Sequence, residues 1–223
     1  MFFFVSLHKK LIHCKKMNEI NEYRQELRKK IIDYAMSEFY KRGIKAVKMD
    51  EISQGLHVSK RTVYEIFGDK EELLLAGMRD KRDGQRLAME NFVLQGNHNV
   101  IDMLSFFYKQ ELKDCVNVGV LFYEEIHKMP RVLEFLQSSH DQHHENSLRF
   151  FKEGVKEGLF RPDMDFKLFL KIVNIAMEEI MHRQLYKEHS MQEIFDNYIL
   201  VLIRGFCTER GLVLLNKAID SEF

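Results

Sequence analysis

The sequence predicts an all-α fold, with a small three-helix head at the N-terminus and a larger helical body behind it. Proline occurs only twice and tryptophan not at all in 223 residues, so long stretches lack helix breakers. Apolar residues recur at intervals of three and four along most of the chain, which is the period of an amphipathic helix. Hydrophobic residues make up 45% and charged residues 30% of the sequence, as is typical of a soluble globular protein.

Charge is unevenly distributed along the chain. Residues 1–70 contain 15 Lys and Arg against 9 Asp and Glu, a net charge of +6, whereas residues 71–223 carry a net charge of −6. A basic front and an acidic rear fit a nucleic-acid-binding head on a body that stays off DNA. The alternative is that this uneven distribution of charge arose by chance.

Residues 1–23 are predicted to be an N-terminal extension. Residues 1–16 open with an apolar run that is too short for the core of a signal peptide, and basic residues follow this run instead of preceding it. Two interpretations stay open. Either Met17 is the true start, or residues 1–16 form a flexible basic arm that adds phosphate contacts.

The first helix of the head is predicted from about residue 21 to residue 42. Gly43 follows it as a C-terminal cap. Apolar residues recur every four positions along one face of this helix: Leu27, Ile31, Ala35 and Phe39. This face is expected to form the wall against which the next two helices pack.

Residues 48–67 are predicted to form a helix-turn-helix. Its first helix covers about residues 49–56, and His57 in the turn is expected to adopt a left-handed backbone. Ser59 stands at the N-cap position of the second helix, which covers about residues 60–67.

The second helix of this pair is polar on its outer side. Val63 and Phe67 share the inner face, and Lys60, Arg61 and Tyr64 fall opposite to them. A short helix that carries such residues outward suits insertion into a DNA major groove. An ordinary helical hairpin with a solvated basic face is the alternative that periodicity alone leaves open.

The order of residues resembles the DNA-binding domain of the TetR/AcrR family of bacterial transcriptional regulators from about residue 24 to residue 75. The sequence departs from that family at Leu56 and His57, where Ala-Gly is usual, and at Val47, where Thr is frequent. The absence of Thr at position 47 affects one phosphate contact that the family would make, and it does not affect the expected fold. The matching residues are 31–35, Phe39, 43–44, 49–52, 58–60, 62–64, Phe67 and 70–73.

This resemblance implies a DNA-binding domain at residues 24–85 and a regulatory and dimerisation domain at residues 86–223. Lys70 would be the first residue of a long helix, a position at which the helix dipole disfavours a cation. A contact with a DNA phosphate would explain why a lysine stands there. A solvated lysine is the alternative. The implied base-reading residues are Lys60, Arg61 and Thr62, and the implied phosphate-binding residues are Lys48, Tyr64 and Lys70.

The body is expected to contain a series of helices, the last two of them apolar on nearly every side. Gly211 is expected to cap the last helix, with residues 212–217 as a short tail. Helices that are apolar all round must be covered all round, which predicts a four-helix interface between two copies of the chain. A fully internal pair of helices is the alternative. The predicted helices are 70–92, one around 101–108, 117–128, 130–158, 165–186 and 192–210.

Aromatic residues in the body are either plain core or the wall of an effector pocket. Glu178 and Glu179, with His182 one turn later, are expected to act either at the subunit interface or toward a ligand, because buried carboxylates need partners. The candidate ligand-binding residues are Phe107, Phe122, Tyr123, His127 and His182.

Metal, cofactor and catalytic sites have little support in the sequence. His140, His143 and His144 share one helical face, a spacing that permits two imidazoles on one metal, but a solvated polar face is favoured. No Ser-His-Asp order, glycine-rich phosphate loop or paired-acid motif stands out. We therefore predict no metal, no cofactor and no enzymatic activity, and we leave room for an unidentified small-molecule effector.

The favoured function is a sequence-specific transcriptional regulator, a ligand-responsive repressor that acts as a homodimer on a palindromic DNA operator. The alternative is a helical small-molecule- or metal-binding protein without specific DNA binding. Cytoplasmic localisation is expected, because no run of eighteen apolar residues occurs and the three cysteines have no disulfide or zinc-motif spacing.

Overall fold

A computed structural model of the chain describes residues 2–220, with side chains described for residues 21–138 and 146–220. Most of the predicted extension at residues 1–23 therefore lies outside the described side chains. The all-α prediction is confirmed, since the described residues contain no β-strand and only one isolated bridge, between Phe160 and Cys207. The α-helices are α1 (Phe2–Arg42), α2 (Met49–Gly55), α3 (Lys60–Phe67), α4 (Lys70–Leu94), α5 (Val100–Val116), α6 (Val120–Ile126), α7 (Pro130–Lys156), α8 (Phe166–His182), α9 (Met191–Ile194), α10 (Leu200–Phe206) and α11 (Glu209–Asp220).

The chain divides into two compact units. Unit 1 comprises Met1–Phe39 and Lys45–Met78, and unit 2 comprises Tyr40–Ile44 and Arg79–Phe223. The division falls inside α4, between Met78 and Arg79. The domain ranges 24–85 and 86–223 remain predictions.

Unit 1 is built around one apolar face from each of its helices. α1 contributes the row that the sequence predicted, and its Ile31, Ala35 and Phe39 are completely buried. α2 buries Ile52, and α4 buries its first turns. These side chains remove apolar surface from water and fix the short helices α2 and α3, which are too short to be stable alone.

Unit 2 has an aromatic core. Phe151, Phe160 and Phe206 lie at its centre, and their ring centroids are 4.9–5.9 Å apart in edge-on and tilted arrangements. Such edge-on pairs are favourable beyond the area that they bury. Helices α5, α10 and α11 supply most of the other buried residues of this core, and α8 and the π-helical turn after α9 pack against it.

The end of the chain differs from its prediction. A single helix over residues 192–210 was expected, whereas the structure has α9, a π-helical turn (Phe195–Ile199), and α10, which ends at Phe206. The chain stops being helical there because the backbone of Cys207 extends and pairs with Phe160. The N–H of Arg161 also donates to the carbonyl oxygen of Phe206, at 2.9 Å.

Gly211 was wrongly predicted to cap the last helix. It lies buried inside α11, which replaces the expected tail at residues 212–217. The hydroxyl of Thr208 accepts a hydrogen bond from the N–H of Gly211 at 3.1 Å and so begins the helix. Glycine is needed at position 211 because the backbone of Leu159 packs closely against it. A Cβ there would lie 2.2 Å from the carbonyl oxygen of Leu159.

The predicted helix at 117–128 is shorter than expected, because α6 covers only Val120–Ile126. The N–H of Gly119 donates to the carbonyl oxygen of Tyr40 at 2.8 Å, which ties the segment before α6 to the end of α1. A Cβ on Gly119 would lie 2.9 Å from the same oxygen.

Helix α8 has two apolar faces. Phe166, Phe169 and Leu170 pack against the core of unit 2. On the other side, Leu168, Ile172 and Ile175 are 53%, 54% and 56% exposed. Their spacing of four and three residues makes one continuous stripe along the helix, which we call the α8 stripe.

Candidate nucleic-acid interface

Helix α3 begins at a well-formed N-cap. The backbone of Ser59 is extended, and its hydroxyl accepts a hydrogen bond from the N–H of Thr62 at 3.0 Å. The hydroxyl groups of the same two residues are 2.7 Å apart. The prediction of Ser59 as the N-cap is therefore confirmed, and this cap fixes where the first turn of α3 starts.

The turn between α2 and α3 is held by backbone hydrogen bonds. His57 adopts the predicted left-handed conformation, with φ of 55°. The N–H groups of His57 and Val58 donate to Gln54 and Ser53 at 3.1 and 3.0 Å. This turn sets the direction in which α3 leaves α2.

One side of α3 is buried in unit 1 and the other side is open to solvent. Val63 and Phe67 are buried, and the guanidinium of Arg28 lies 5.5 Å from the centre of the Phe67 ring. Thr62 is half-buried. The exposed residues of the helix are Lys60, Arg61, Tyr64 and Glu65. The predicted outward direction of Lys60, Arg61 and Tyr64 is confirmed.

The exposed cations of α3 have carboxylate partners within unit 1. The ammonium group of Lys60 lies 2.8 Å from a carboxylate oxygen of Asp50 on α2, and Nε of Arg61 lies 2.6 Å from Oε1 of Glu65. Hydrogen bonding to these carboxylates raises the pKa of Lys60 and of Arg61. Because all four side chains are at least half exposed, these pairs can be exchanged for phosphates or bases at little cost.

Lys48 and Lys70 flank the helix-turn-helix. Lys48 is exposed and occupies the N-cap position of α2, without a hydrogen bond from its side chain to the helix. Lys70 is the first residue of α4, and its ammonium group donates to the carbonyl oxygens of Val47 and Lys45 at 2.9 and 3.4 Å. Lys70 is therefore held against the backbone that precedes α2.

The five candidate ligand residues in unit 2 fall into two environments. Phe107 and His182 are exposed, whereas Phe122 is buried and Tyr123 and His127 are half-buried. The ring centroids of Phe122 and Tyr123 are 6.2 Å apart. The assignment of these five residues to one ligand site remains a prediction.

His127 is the most unusual of these residues. Its Nε2 atom is buried and has no hydrogen-bond partner in the described residues. Burial lowers the pKa of its imidazole, which favours the neutral form at physiological pH. A buried polar atom of this kind is normally paired, so His127 is the best-placed member of the predicted ligand set.

A polar network in unit 2 was not predicted from the sequence. The amide of Gln85 on α4 donates to Glu111 and Asp114 on α5, each at 2.9 Å, and Nζ of Lys81 lies 3.4 Å from Asp114. Burial, with Asp114 nearby, raises the pKa of Glu111 despite the opposing effect of Lys81. The network joins two helices through one cation and two carboxylates.

A groove of about 370 Å³ lies beside the C-terminal half of α5. Its lining includes Lys109, Lys113 and Gln192. None of the five candidate ligand residues lines it. The groove therefore does not support the expected aromatic pocket.

The acidic pair on α8 is exposed in the single chain. Glu178 and His182 face solvent, and Glu179 makes an ion pair with Arg183 one turn later. In the described part of the chain, no group of three or more His, Cys, Asp or Glu side chains could hold a metal ion. His140, His143 and His144 lie outside that part. None of the described helices is long and apolar enough to cross a bilayer.

The helix-turn-helix carries a match to a known family. Residues 31–76, which contain α2, α3 and the first turns of α4, match the family model "Bacterial regulatory proteins, tetR family". The resemblance to the TetR family that the sequence indicated is confirmed over this segment. The N-terminal helix-turn-helix and the helical body of the chain are the arrangement that the sequence predicted, and the matched family model describes bacterial regulatory proteins.

Similarity to known regulators extends beyond the matched segment, over most of the chain. The HTH-type transcriptional repressor KstR2 of Mycobacterium tuberculosis is 24% identical over 201 residues, which cover 86% of this chain and 96% of the relative. Its solved structure, described as that of a ketosteroid transcriptional regulator, has a TM-score of 0.52 at 20% identity, covering 82% of this chain and 95% of KstR2.

Two further solved structures share the fold. A putative transcriptional regulator from Saccharomonospora viridis, in complex with choline, has a TM-score of 0.64 at 17% identity, covering 83% of this chain and 100% of that one. CprB, a TetR-family protein from S. coelicolor A3(2), has a TM-score of 0.59 at 17% identity, covering 90% of this chain and 100% of that one.

Sequence reasoning missed two features of this protein. Glu65 lies on the exposed face of α3 beside Arg61, and its position four residues after Arg61 was the signal that could have identified it. The network of Lys81, Gln85, Glu111 and Asp114 could not have been found in this way. It depends on the register of α4 against α5, which no local pattern encodes.

Proposed function

We propose that this protein is a ligand-responsive transcriptional repressor that binds a palindromic DNA operator as a homodimer. The observation that carries the proposal is the exposed face of α3, where Lys60, Arg61 and Tyr64 project from a helix fixed by its cap and by two buried residues. A rigid helix with long hydrogen-bonding side chains on its open face suits the width of the major groove.

The DNA contacts follow from the positions of these residues. Lys60, Arg61 and Thr62 would contact bases or the groove wall. Tyr64 would bind phosphate, as would Lys48 and Lys70 at either end of the helix-turn-helix. Residues 24–85 would form the DNA-binding domain, and residues 86–223 the regulatory and dimerisation domain.

The α8 stripe supports a homodimer. Leu168, Ile172 and Ile175 are each more than half exposed in a single chain, although the opposite face of α8 already packs on a core. A row of large aliphatic side chains gains free energy when a second copy covers it. A two-fold dimer would also present two copies of α3 to two half-sites.

We infer that the body also contains an effector site. It is supported by His127, whose buried Nε2 atom lacks a hydrogen-bond partner among the described residues, and by relatives described as a ketosteroid regulator and as a choline complex. An effector would act only through its different affinities for the DNA-binding and non-binding states. We expect the protein to act in the cytoplasm, so the effector would be a small molecule that reaches the cytoplasm.

The proposal is tested by titrating full-length protein against duplexes from the DNA flanking its own gene, with fluorescence anisotropy as the readout. We expect tight binding to a duplex that contains an inverted repeat, with two chains per duplex, in the presence of excess unrelated DNA. Binding that is equal for all duplexes would favour the alternative, a helical ligand-binding protein without specific DNA recognition. Addition of choline or of a ketosteroid to the preformed complex tests the response to an effector.

A further inference from the structure

We propose that Glu65 determines part of the operator sequence, by accepting a hydrogen bond from the exocyclic amine of a cytosine in the major groove. This inference rests on the proposed function, because it assigns a base preference to the same helix α3. It adds a carboxylate to a set of residues that otherwise contains only cationic and hydroxyl side chains.

Glu65 lies at the centre of the open face of α3. It is two residues from Val63 and two residues from Phe67, the buried pair of this helix. At about 100° per residue, each of these steps places Glu65 roughly 160° around the helix axis from a buried neighbour. Glu65 therefore points directly away from the core of unit 1, and its side chain is 55% exposed.

Glu65 is also the immediate partner of Arg61. Its Oε1 atom lies 2.6 Å from Nε of Arg61, and the Arg61 side chain is 87% exposed. Two side chains four residues apart lie about 5–6 Å from each other along one face of a helix. Base pairs are stacked about 3.4 Å apart, so the two residues reach base pairs one or two steps from each other.

The chemistry of the carboxylate selects the base. An ionised Glu can only accept hydrogen bonds, so it is repelled by guanine, which offers O6 and N7, and by thymine, which offers O4. Cytosine offers the N4 amine as a donor. Adenine offers N6, but the N7 acceptor beside it would face the second carboxylate oxygen. Cytosine is thus the preferred partner of Glu65.

The same carboxylate explains why Arg61 would prefer guanine. Glu65 engages Nε of Arg61 and holds the guanidinium on the open face of α3. Arginine pairs in a bidentate manner with O6 and N7 of guanine, which is the commonest specific contact in the major groove. We therefore expect each operator half-site to contain a guanine and a cytosine within two base pairs of each other.

The experiment is a selection of random DNA duplexes by full-length protein, followed by sequencing. It compares wild type with Glu65→Gln, Glu65→Ala and Arg61→Ala. Glu90→Gln is the matched control, because Glu90 forms the same kind of pair with Arg86, four residues earlier on α4, at 2.8 Å. A thermal melt of each variant shows that it is folded before selection.

The wild type should enrich a cytosine at one position of each half-site, within two base pairs of the guanine that Arg61→Ala loses. Glu65→Gln should shift that position from cytosine to adenine, since Gln pairs with N6 and N7 of adenine, with a change in relative preference of about 10-fold. Glu65→Ala should abolish the preference at that position. Glu90→Gln should reproduce the wild-type sequence.

Two results would overturn the assignment of Glu65. One is a base preference that is the same for wild type and Glu65→Gln at every position. The other is a loss confined to the guanine position, which would make Glu65 only a support for Arg61. If the wild type enriches no sequence at all, the proposed function itself fails, which is a different outcome from either of these.

Discussion

The ammonium group of Lys70 lies 2.9 Å from the carbonyl oxygen of Val47, which joins the start of α4 to the segment that precedes α2. The carbonyl oxygen of Lys45 accepts from the same group at 3.4 Å. A cation at a helix N-terminus is disfavoured by the helix dipole, and these two carbonyl oxygens offset that disadvantage. Lys70 thus has a structural role within unit 1, alongside the phosphate contact that we propose.

Replacement of Lys70 by Ala should affect both DNA binding and stability. Binding to every duplex should weaken, and the slope of log affinity against log salt should become less negative by about one, because one phosphate contact is lost. The free energy of unfolding should fall by about 1 kcal/mol, since two backbone carbonyls lose their donor. Salt titrations and urea unfolding measure these effects, with Lys217→Ala on α11 as control. A salt slope equal to that of wild type would remove Lys70 from the phosphate-binding set.

Replacement of Arg61 by Ala should reduce specific binding and spare non-specific binding. We expect a loss of roughly 1–3 kcal/mol on the operator, because a bidentate base contact is lost. The matched control is Arg86→Ala, which breaks a similar Arg–Glu pair on α4. Competitive anisotropy titrations with operator and unrelated duplexes separate the two components. An unchanged operator affinity would exclude Arg61 as a base-reading residue.

Introduction of a charge into the α8 stripe should dissociate the proposed dimer. Ile172→Glu places a carboxylate at a side chain that is 54% exposed in the single chain, so the protomer should still fold. Desolvation of that carboxylate in a subunit interface would be unfavourable, which should shift sedimentation at micromolar concentration toward the monomer. Val213→Glu, at a 69% exposed position of α11, is the control. A monomeric wild type, or a dimeric Ile172→Glu variant, would contradict this interface.

Glu111 should make stability depend on pH. Its pKa is raised in the folded state, mainly by burial, so the folded protein binds a proton more tightly at this site than the unfolded chain does. The stabilisation is complete below the ordinary pKa of 4.5 and is lost as the pH rises through the folded value. Lys81, whose pKa is raised, stays charged across this range and does not change the sign.

Glu111→Gln should therefore remove part of the decline in stability that occurs as the pH rises above the ordinary pKa of 4.5. The amide oxygen of the new residue can still accept from Gln85, and the buried negative charge is gone. We expect the variant to gain stability relative to wild type as the pH rises, measured by urea unfolding at several pH values. Glu90→Gln, at an exposed pair, serves as control. A parallel pH dependence in wild type and Glu111→Gln would show that this carboxylate is not responsible.

Two glycines near the C-terminus should respond in opposite ways to replacement by Ala. A Cβ on Gly211 would lie 2.2 Å from the carbonyl oxygen of Leu159, so Gly211→Ala must displace backbone and should destabilise by about 2 kcal/mol. Gly205 lies inside α10, and a Cβ there would meet no atom within 4 Å, so Gly205→Ala should stabilise by about 0.5–1 kcal/mol. Thermal unfolding of both variants checks the pair. Equal melting temperatures would contradict the described packing of α11.

Local patterns predicted the head better than they predicted the end of the body. The cap at Ser59, the left-handed His57 and the inner face of α3 all follow from residues within a few positions of each other. Gly211 was misplaced because a glycine after an apolar helix usually ends it. Here the chain had already left the helix at Cys207, to pair with Phe160 some fifty residues earlier.

The candidate DNA-binding site likewise combines residues that the local sequence pattern predicted with one that it did not. Lys60, Arg61 and Tyr64 could be assigned to the open side of α3 because helical period alone separates them from Val63 and Phe67. Glu65 shares that side, but a search for basic residues passes over a carboxylate. The body could not be resolved into a ligand site, because its polar groups meet only through contacts between distant helices.

The two apolar faces of α8 have a consequence for how the protein behaves at low abundance. If folding and pairing of chains are linked through this helix, the melting temperature must rise with total protein concentration, as mass action requires. Occupancy of a two-part DNA site would then depend on roughly the square of the number of free chains, until most chains are paired. A modest change in the synthesis of this protein would produce a disproportionate change in the genes next to its binding site.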